Sequence, residues 1–291
     1  MNVIGLGAAG CNIADKFSEY PQYNIYKIDV GLKGLKKNGI YAMPEQNSVE
    51  EYEKKCPSLK NFFKNVNGEV LFIVCGAGKI SGASLRILEE ISHCNIEILY
   101  VMPDVDLLGY VSVLRNKVAY NILQEYARSG LFSRIYIVSN FCVQDIFGDT
   151  PIINYYDKLN EMIVSTFHMI NVFRFSKSII NTFSAHIDSC RISTFGMFDQ
   201  EKNEEKLFFP LENIRELMYY YGVPRQILEE DGRLFRRITD QIKVKSTTEE
   251  EGRVQCKATF GVYQTQYEEN YNFIVASTSF IQKSKIILDT H

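Results

Sequence analysis

An α/β fold is predicted, with a parallel sheet flanked by helices, a long central helix and a smaller α+β C-terminal domain. Three observations predict it. Short apolar runs alternate with helical patterns over residues 1–140, as expected for strands covered on both faces. Two of those runs empty into glycines that open helices: Val3-Ile4 into Gly5-Leu6-Gly7-Ala8-Ala9-Gly10, and Val70–Cys75 into Gly76-Ala77-Gly78-Lys79-Ile80-Ser81-Gly82. From Pro151 the alternation yields to one long helical pattern, with apolar residues at Ile152, Ile153, Tyr156, Leu159, Ile163, Phe167 and Ile170.

Element by element, Met1–Leu6 reads as a buried strand and Asn12–Tyr20 as a helix. Asn24–Asp29 is a second strand ending in a carboxylate. Gly31 and Gly34 loosen the next stretch, and Ile40–Met43 forms a short strand. Val49–Lys64 has helical spacing interrupted by Pro57. The strand 70–75, a helix over 82–92, the strand Ile96–Met102, a long helix Leu107–Ser129 and the strand Arg134–Val138 complete the alternation. Beyond the central helix, Ile179–Asp199 is β-like, and Leu211–Tyr221 and Arg225–Ile242 read as helices. Thr247–Glu251 is an acidic turn, and Val254–Tyr263 and Tyr271–Ser279 are strands. The expected domains are 1–150, the helix 151–175, and 176–291.

Composition narrows the function. With 291 residues, 46% hydrophobic, 23% charged and a net charge of −3, the chain is an ordinary globular protein. It has no general attraction for nucleic acid or anionic lipid. Its seven cysteines form no C-x-x-C pair and no metal spacing, so reduced thiols and no metal site are expected. No apolar run approaches ~18 residues. With a first strand starting at Met1 there is no room for a leader, and a soluble cytoplasmic protein is expected.

The chemistry concentrates in the two glycine loops. Glycines let the backbone turn tightly and approach a ligand, and the first amides of the following helix attract anions. Two such loops suggest two walls around one phosphate chain. Gly5-x-Gly7-x-x-Gly10 with Asp29 nineteen residues on also fits a dinucleotide fingerprint. An NAD-dependent oxidoreductase is therefore the rival of another class, although no His or Lys suited to hydride chemistry stands out. A tight turn with no ligand is the plainer reading of the glycines.

With both loops present, the sequence resembles the tubulin/FtsZ superfamily of filament-forming GTPases over roughly residues 1–175. Gly5–Asn12 is similar to that family's first phosphate loop, Ile28-Asp29 to its second, and Gly76–Gly82 to its glycine-rich signature. Pro103–Gly109 occupies the place of the ribose loop, and Ser139-Asn140 that of the strand-end asparagine which contacts nucleotide. The helix Asn154–Phe173 resembles the central helix, with Asn160 in the guanine-reading position.

The resemblance implies GTP/GDP as ligand, with Mg2+ as companion ion. Gly7, Ala8, Ala9, Gly10 and Cys11, with Gly76, Ala77, Gly78, Lys79, Ser81 and Gly82, would line the phosphates. Asp29 would stand beside them, and Asn140 and Asn160 offer amides matched to a purine edge. Ile80 replaces a glycine of the signature, Lys79 a threonine, and Leu108 a ribose-binding Glu, leaving Asp104 or Asp106 for that role.

The resemblance further implies head-to-tail self-assembly, with hydrolysis completed when the next subunit inserts acids from the loop after the central helix. Here that stretch is Ile179–Asp188, and Asp188 is its one carboxylate. Asp188 is the catalytic candidate, Asn181 and His186 its helpers, and the plain reading of Asp188 is a turn residue. The helix that normally follows is replaced by strand-like residues 190–196. Short length and divergent loops bring the chain nearest the tubulin-like proteins of phages and plasmids, which position DNA or virions. Any adaptor or cargo is unknown, and a nucleotide-binding homologue without hydrolysis is the same-fold alternative. His93, His168 and the run Tyr219-Tyr220-Tyr221 read as structural.

Overall fold

The computed structural model describes residues 1–33, 39–148, 151–246 and 256–283. Gly34, the Thr247–Glu251 turn and the first residues of the Val254 strand lie outside them. The chain forms two compact units: 1–164 with the segment from Ile281, and 165–280.

In the first unit, β1 (Asn2–Leu6) leads into α1 (Gly7–Phe17), followed by β2 (Asn24–Val30) and β3 (Ile40–Met43). Next come α2 (Val49–Lys54), β4 (Glu69–Val74), a 3₁₀ turn over Lys79–Ala83, α3 (Ser84–Glu90) and β5 (Asn95–Met102). A 3₁₀ turn at Val105–Leu107, α4 (Tyr110–Arg128), β6 (Arg134–Ser139), α5 (Asn140–Phe147) and the start of α6 (Tyr155–Phe175) follow. All six strands pair in parallel, in the order β3-β2-β1-β4-β5-β6. β4 is Val70–Val74 preceded by a half-buried Glu69, and those five apolar residues are all buried. An unbroken apolar run is what a strand covered on both faces requires.

The helix expected over 49–64 stops at Lys54. Ser48 Oγ accepts the Glu51 amide and Glu51 Oε2 accepts the Asn47 amide, which starts the helix well. Pro57 then disfavours helical backbone at the residue before it, and the chain leaves the helix.

In the second unit, β7 (Ile180–Asn181), β8 (Ile192–Asp199), β9 (Glu204–Leu207) and β10 (Glu216–Pro224) precede α7 (Arg225–Glu230) and α8 (Leu234–Lys245). β11 (Lys257–Thr265) and β12 (Tyr271–Thr278) close it. Their order is β9-β8-β12-β10-β11-β7, with β10-β11 the one parallel pair. Two expectations are corrected here. Of the β-like stretch 179–199, only 180–181 and 192–199 are strand. The helix expected over Leu211–Tyr221 is instead the central strand β10.

Every residue of β10 is buried, so the alternation that identifies a one-sided strand is missing. Three consecutive tyrosines favour a pleated surface over a helix. Tyr219 stacks its edge on Phe198, with ring centroids 5.0 Å apart, and donates its hydroxyl to Glu205 at 2.8 Å. Tyr221 donates to Gln241 of α8 at 3.1 Å. The tyrosine run is core, as read from sequence.

Candidate functional site

Register assembles the site within the first unit. Leu6, the last residue of β1, pairs with Ile28 of β2 and Val74 of β4. Val74 pairs with Tyr100, and Met102 with Ser139. The segments beginning at Gly7, Asp29, Cys75, Pro103 and Asn140 therefore all leave one carboxyl edge of the sheet. Strand order runs outward from β1 through β2 to β3 and, on the other side, from β4 to β6. Connections reverse between β1 and β4, the point at which parallel α/β sheets bind ligands. Both glycine loops lie there.

The glycines divide into two kinds. A Cβ on Gly10 would stand 2.5 Å from the Ile73 carbonyl, and one on Gly82 would run into the Val49 carbonyl and come within 2.8 Å of Val49 Cγ1. Gly5 and Gly76 are likewise pressed, against Gly10 backbone and the Tyr100 hydroxyl. These four let neighbouring segments close up. Gly7 and Gly78 differ. Among the described residues, leaving out each glycine's chain neighbours, the atom nearest a Cβ on either is Ile80 Cγ2, at 3.0 Å from Gly7 and 3.9 Å from Gly78. Ile80 of the second loop thus sets its methyl against Gly7 of the first, and the two loops meet there. Gly7 has φ +72°, which leaves little choice but glycine.

The surrounding chemistry suits an anion. Leu6, at the cap position of α1, offers no side-chain acceptor, and the first turn holds no acid. Ala8 and Ala9 are exposed there, so that turn's amides and the helix dipole are directed outward. Lys79 is exposed and makes no ion pair among the described residues. Ser81 is buried and turned inward: its hydroxyl lies 3.1 Å from the Gly76 carbonyl and 2.8 Å from that of Gly78, bracing the loop. Cys11 donates to the Gly5 and Ile28 carbonyls, and burial, then the nearby Asp29 carboxylate, pushes its thiol up to about 12. That thiol is a packing group. Asp29 is half-buried and accepts the Val30 amide at 2.8 Å; burial raises its carboxyl above the ordinary value.

Asp104 and Asp106 are exposed, and Asp104 accepts the Asp106 amide. Burial raises the pKa of the Tyr155 phenol, whose hydroxyl donates to Gln144 at 2.6 Å. This tie between the middle of α5 and the start of α6 carries no sequence signal, and α5 itself was not expected. Asn140, the first residue of α5, keeps its Oδ1 buried without a hydrogen-bond partner among the described residues. A buried amide oxygen left unsatisfied costs about 1–3 kcal/mol unless a partner arrives. Asn140 leaves the same carboxyl edge of the sheet as the two glycine loops. Asn160 is half-buried on α6, in the same unit.

Asp188 and Asn181 belong to the second unit. Asp188 is exposed, and its backbone carbonyl accepts Arg191 Nε at 2.8 Å. Asn181 donates to Ser178 Oγ at 2.6 Å from the edge strand β7. His186 Nδ1 lies 3.1 Å from the buried Glu216 carboxylate. His93 Nε2 is 3.1 Å from the Val66 carbonyl, and burial lowers the pKa of His168. An apolar groove of 450 Å³ between α2 and α4, lined by Val49, Leu114, Val118 and Ile122 among others, also takes in Ser81 and Gly82 of the second glycine loop. None of its lining residues comes from the first glycine loop. No helix among the described residues is long and apolar enough to cross a membrane.

Comparison of the sequence with protein-family models and with curated proteins finds no match. Comparison of the structure with solved structures finds strong ones. The GDP-form protofilaments of TubZ from Bacillus thuringiensis serovar israelensis match with TM-score 0.69 and 16% identity over 95% of this chain and 86% of that one. The empty FtsZ dimer of M. jannaschii matches with TM-score 0.67 and 11% identity over 95% and 87%. A type III plasmid-segregation TubZ matches with TM-score 0.66 and 14% identity over 94% and 86%. The fold is that of FtsZ and TubZ. At these identities the likeness fixes the FtsZ/TubZ fold and leaves residue roles to the chain's own geometry.

Proposed function

We propose that this chain is a cytoplasmic, GTP-binding protein that assembles head to tail into filaments, with hydrolysis completed at the contact between subunits. The observation that carries the reading is the meeting of both glycine loops, Ile80 of one against Gly7 of the other, at the reversal point of a parallel sheet. Solved neighbours of the same fold include GTPγS-form and GDP-form protofilaments and a two-stranded filament of TubZ. Amides of both loops hold the phosphates, Lys79 supplies positive charge, and Asn140 and Asn160 take the base. GTP with Mg2+ supplies the scissile phosphate bond and the charge that the subunit contact senses. Asp188, exposed on the second unit, orients water at the neighbouring subunit's site, with Asn181 beside it. A role in positioning phage or plasmid DNA follows from the TubZ likeness and needs an adaptor, since the net charge of −3 provides no nucleic-acid attraction.

Sedimentation with GTP against GDP, run beside phosphate release, tests this. Pelleting with GTP and its loss with GDP is expected. Asp188→Ala should pellet normally while phosphate release falls by about 10²-fold or more. Equal pelleting in both nucleotides would sink the switch. A same-fold protein without turnover is the second reading, favoured by Asp188 being the one carboxylate in 179–188. Unchanged, near-zero phosphate release in wild type and variant would select it.

A further inference from the structure

We propose that Ile80 is an affinity-setting plug: its Cγ2 methyl stands where the two glycine loops meet and limits how deeply a phosphate can seat between them. This rests on the nucleotide reading above and adds to it a residue that weakens binding. Ile80 is buried, with 9% of its surface exposed. Chain neighbours aside, its Cγ2 is the atom that the Cβ positions of both Gly7 and Gly78 meet among the described residues. All other close glycine contacts in these loops are to packed backbone or side chains of the fold. What meets both glycines is therefore an apolar side chain, on the 3₁₀ turn that itself follows Gly78.

A methyl accepts no hydrogen bond and offers none, so a phosphate oxygen placed against it loses water without gaining a partner. Amides on both sides attract an anion, while the methyl holds it away from the full set. The consequence is a site that binds nucleotide and releases it quickly.

The test exploits the side-chain chemistry. Ile80→Val keeps a methyl at the Cγ2 position and removes only the terminal carbon of the longer branch. Ile80→Ala removes the methyl that faces the glycines. Kd values and release rates for fluorescently labelled GDP would be measured on the full chain, with circular dichroism and thermal unfolding confirming that each variant is folded at the assay temperature. Ile80→Ala should bind about tenfold tighter than wild type, which is about 1.4 kcal/mol, with release slowed to match. Ile80→Val should stay within twofold of wild type. Ile80→Ala binding that equals or falls below wild type, in a folded protein, overturns the plug and leaves the nucleotide reading intact. Binding by neither protein overturns both. Tight binding only after removal of the methyl supports the plug in its strongest form.

Discussion

The two glycine loops look alike in sequence and are built differently. In the first, Gly5 and Gly10 press β1 against α1 and β4, and an α-helix starts at once with an uncapped turn. In the second, Gly76 and Gly82 make room for Tyr100 and Val49, Ser81 braces the loop from inside, and a 3₁₀ turn intervenes before α3. Each loop nevertheless contributes one glycine, Gly7 or Gly78, that meets no packed backbone but the Ile80 methyl. A glycine motif thus mixes residues pressed against the fold's backbone with residues that are not, and spacing alone does not separate them.

The largest expected effects fall on the packing glycines. Gly10→Ala and Gly82→Ala force a Cβ onto a backbone carbonyl that cannot swing aside, and each should cost about 3 kcal/mol in urea unfolding. Wild-type stability for either would break the comparison. Gly78→Ala should behave oppositely. Gly78 has φ −77° and ψ 148°, ordinary for any residue, so alanine there should stabilise the free protein by about 0.4–1 kcal/mol. Its added methyl enters the ligand space, and GDP affinity should fall about tenfold, or about 1.4 kcal/mol. Unaltered GDP affinity would remove Gly78 from the site.

Asn140 sharpens the same contrast between structure and site. Removing a buried oxygen that has no partner should not harm the free protein: Asn140→Ala is expected to raise its stability by about 1 kcal/mol and to diminish the thermal shift that GDP produces. A destabilised variant with an undiminished shift would show the orphan to be an internal structural group.

The smallest effect is at Asp29, beside the first loop. Its carboxyl is raised by burial, so ionising it opposes folding. The penalty is absent below its ordinary value of 3.8, grows as pH rises through the higher folded value, and is constant beyond. Asp29→Asn should therefore gain about a few tenths of a kcal/mol above that window and nothing below it, water screening the half-exposed group. A gain confined to low pH would reverse the assignment.

Much of the first unit could be read from the chain, because buried parallel strands are apolar runs and glycines mark where they end. The second unit was harder. β10 is buried on both faces and so shows no alternation, and Leu211–Tyr221 passes for a helix until its partners β11 and β12 are known. α5 was missed because Ser139-Asn140 marks a strand end as well as a helix start, and the helix has only eight residues before Gly148.

By itself the sequence determined the alternating α/β pattern, both glycine turns and the long helix, since local propensity and apolar period are properties of neighbouring residues. Tertiary structure alone decided that the turns meet, with Ile80 of one set against Gly7 of the other, and that Ser81 points inward. Those depend on strand order and register, which bring together residues some seventy positions apart through contacts that no local pattern encodes.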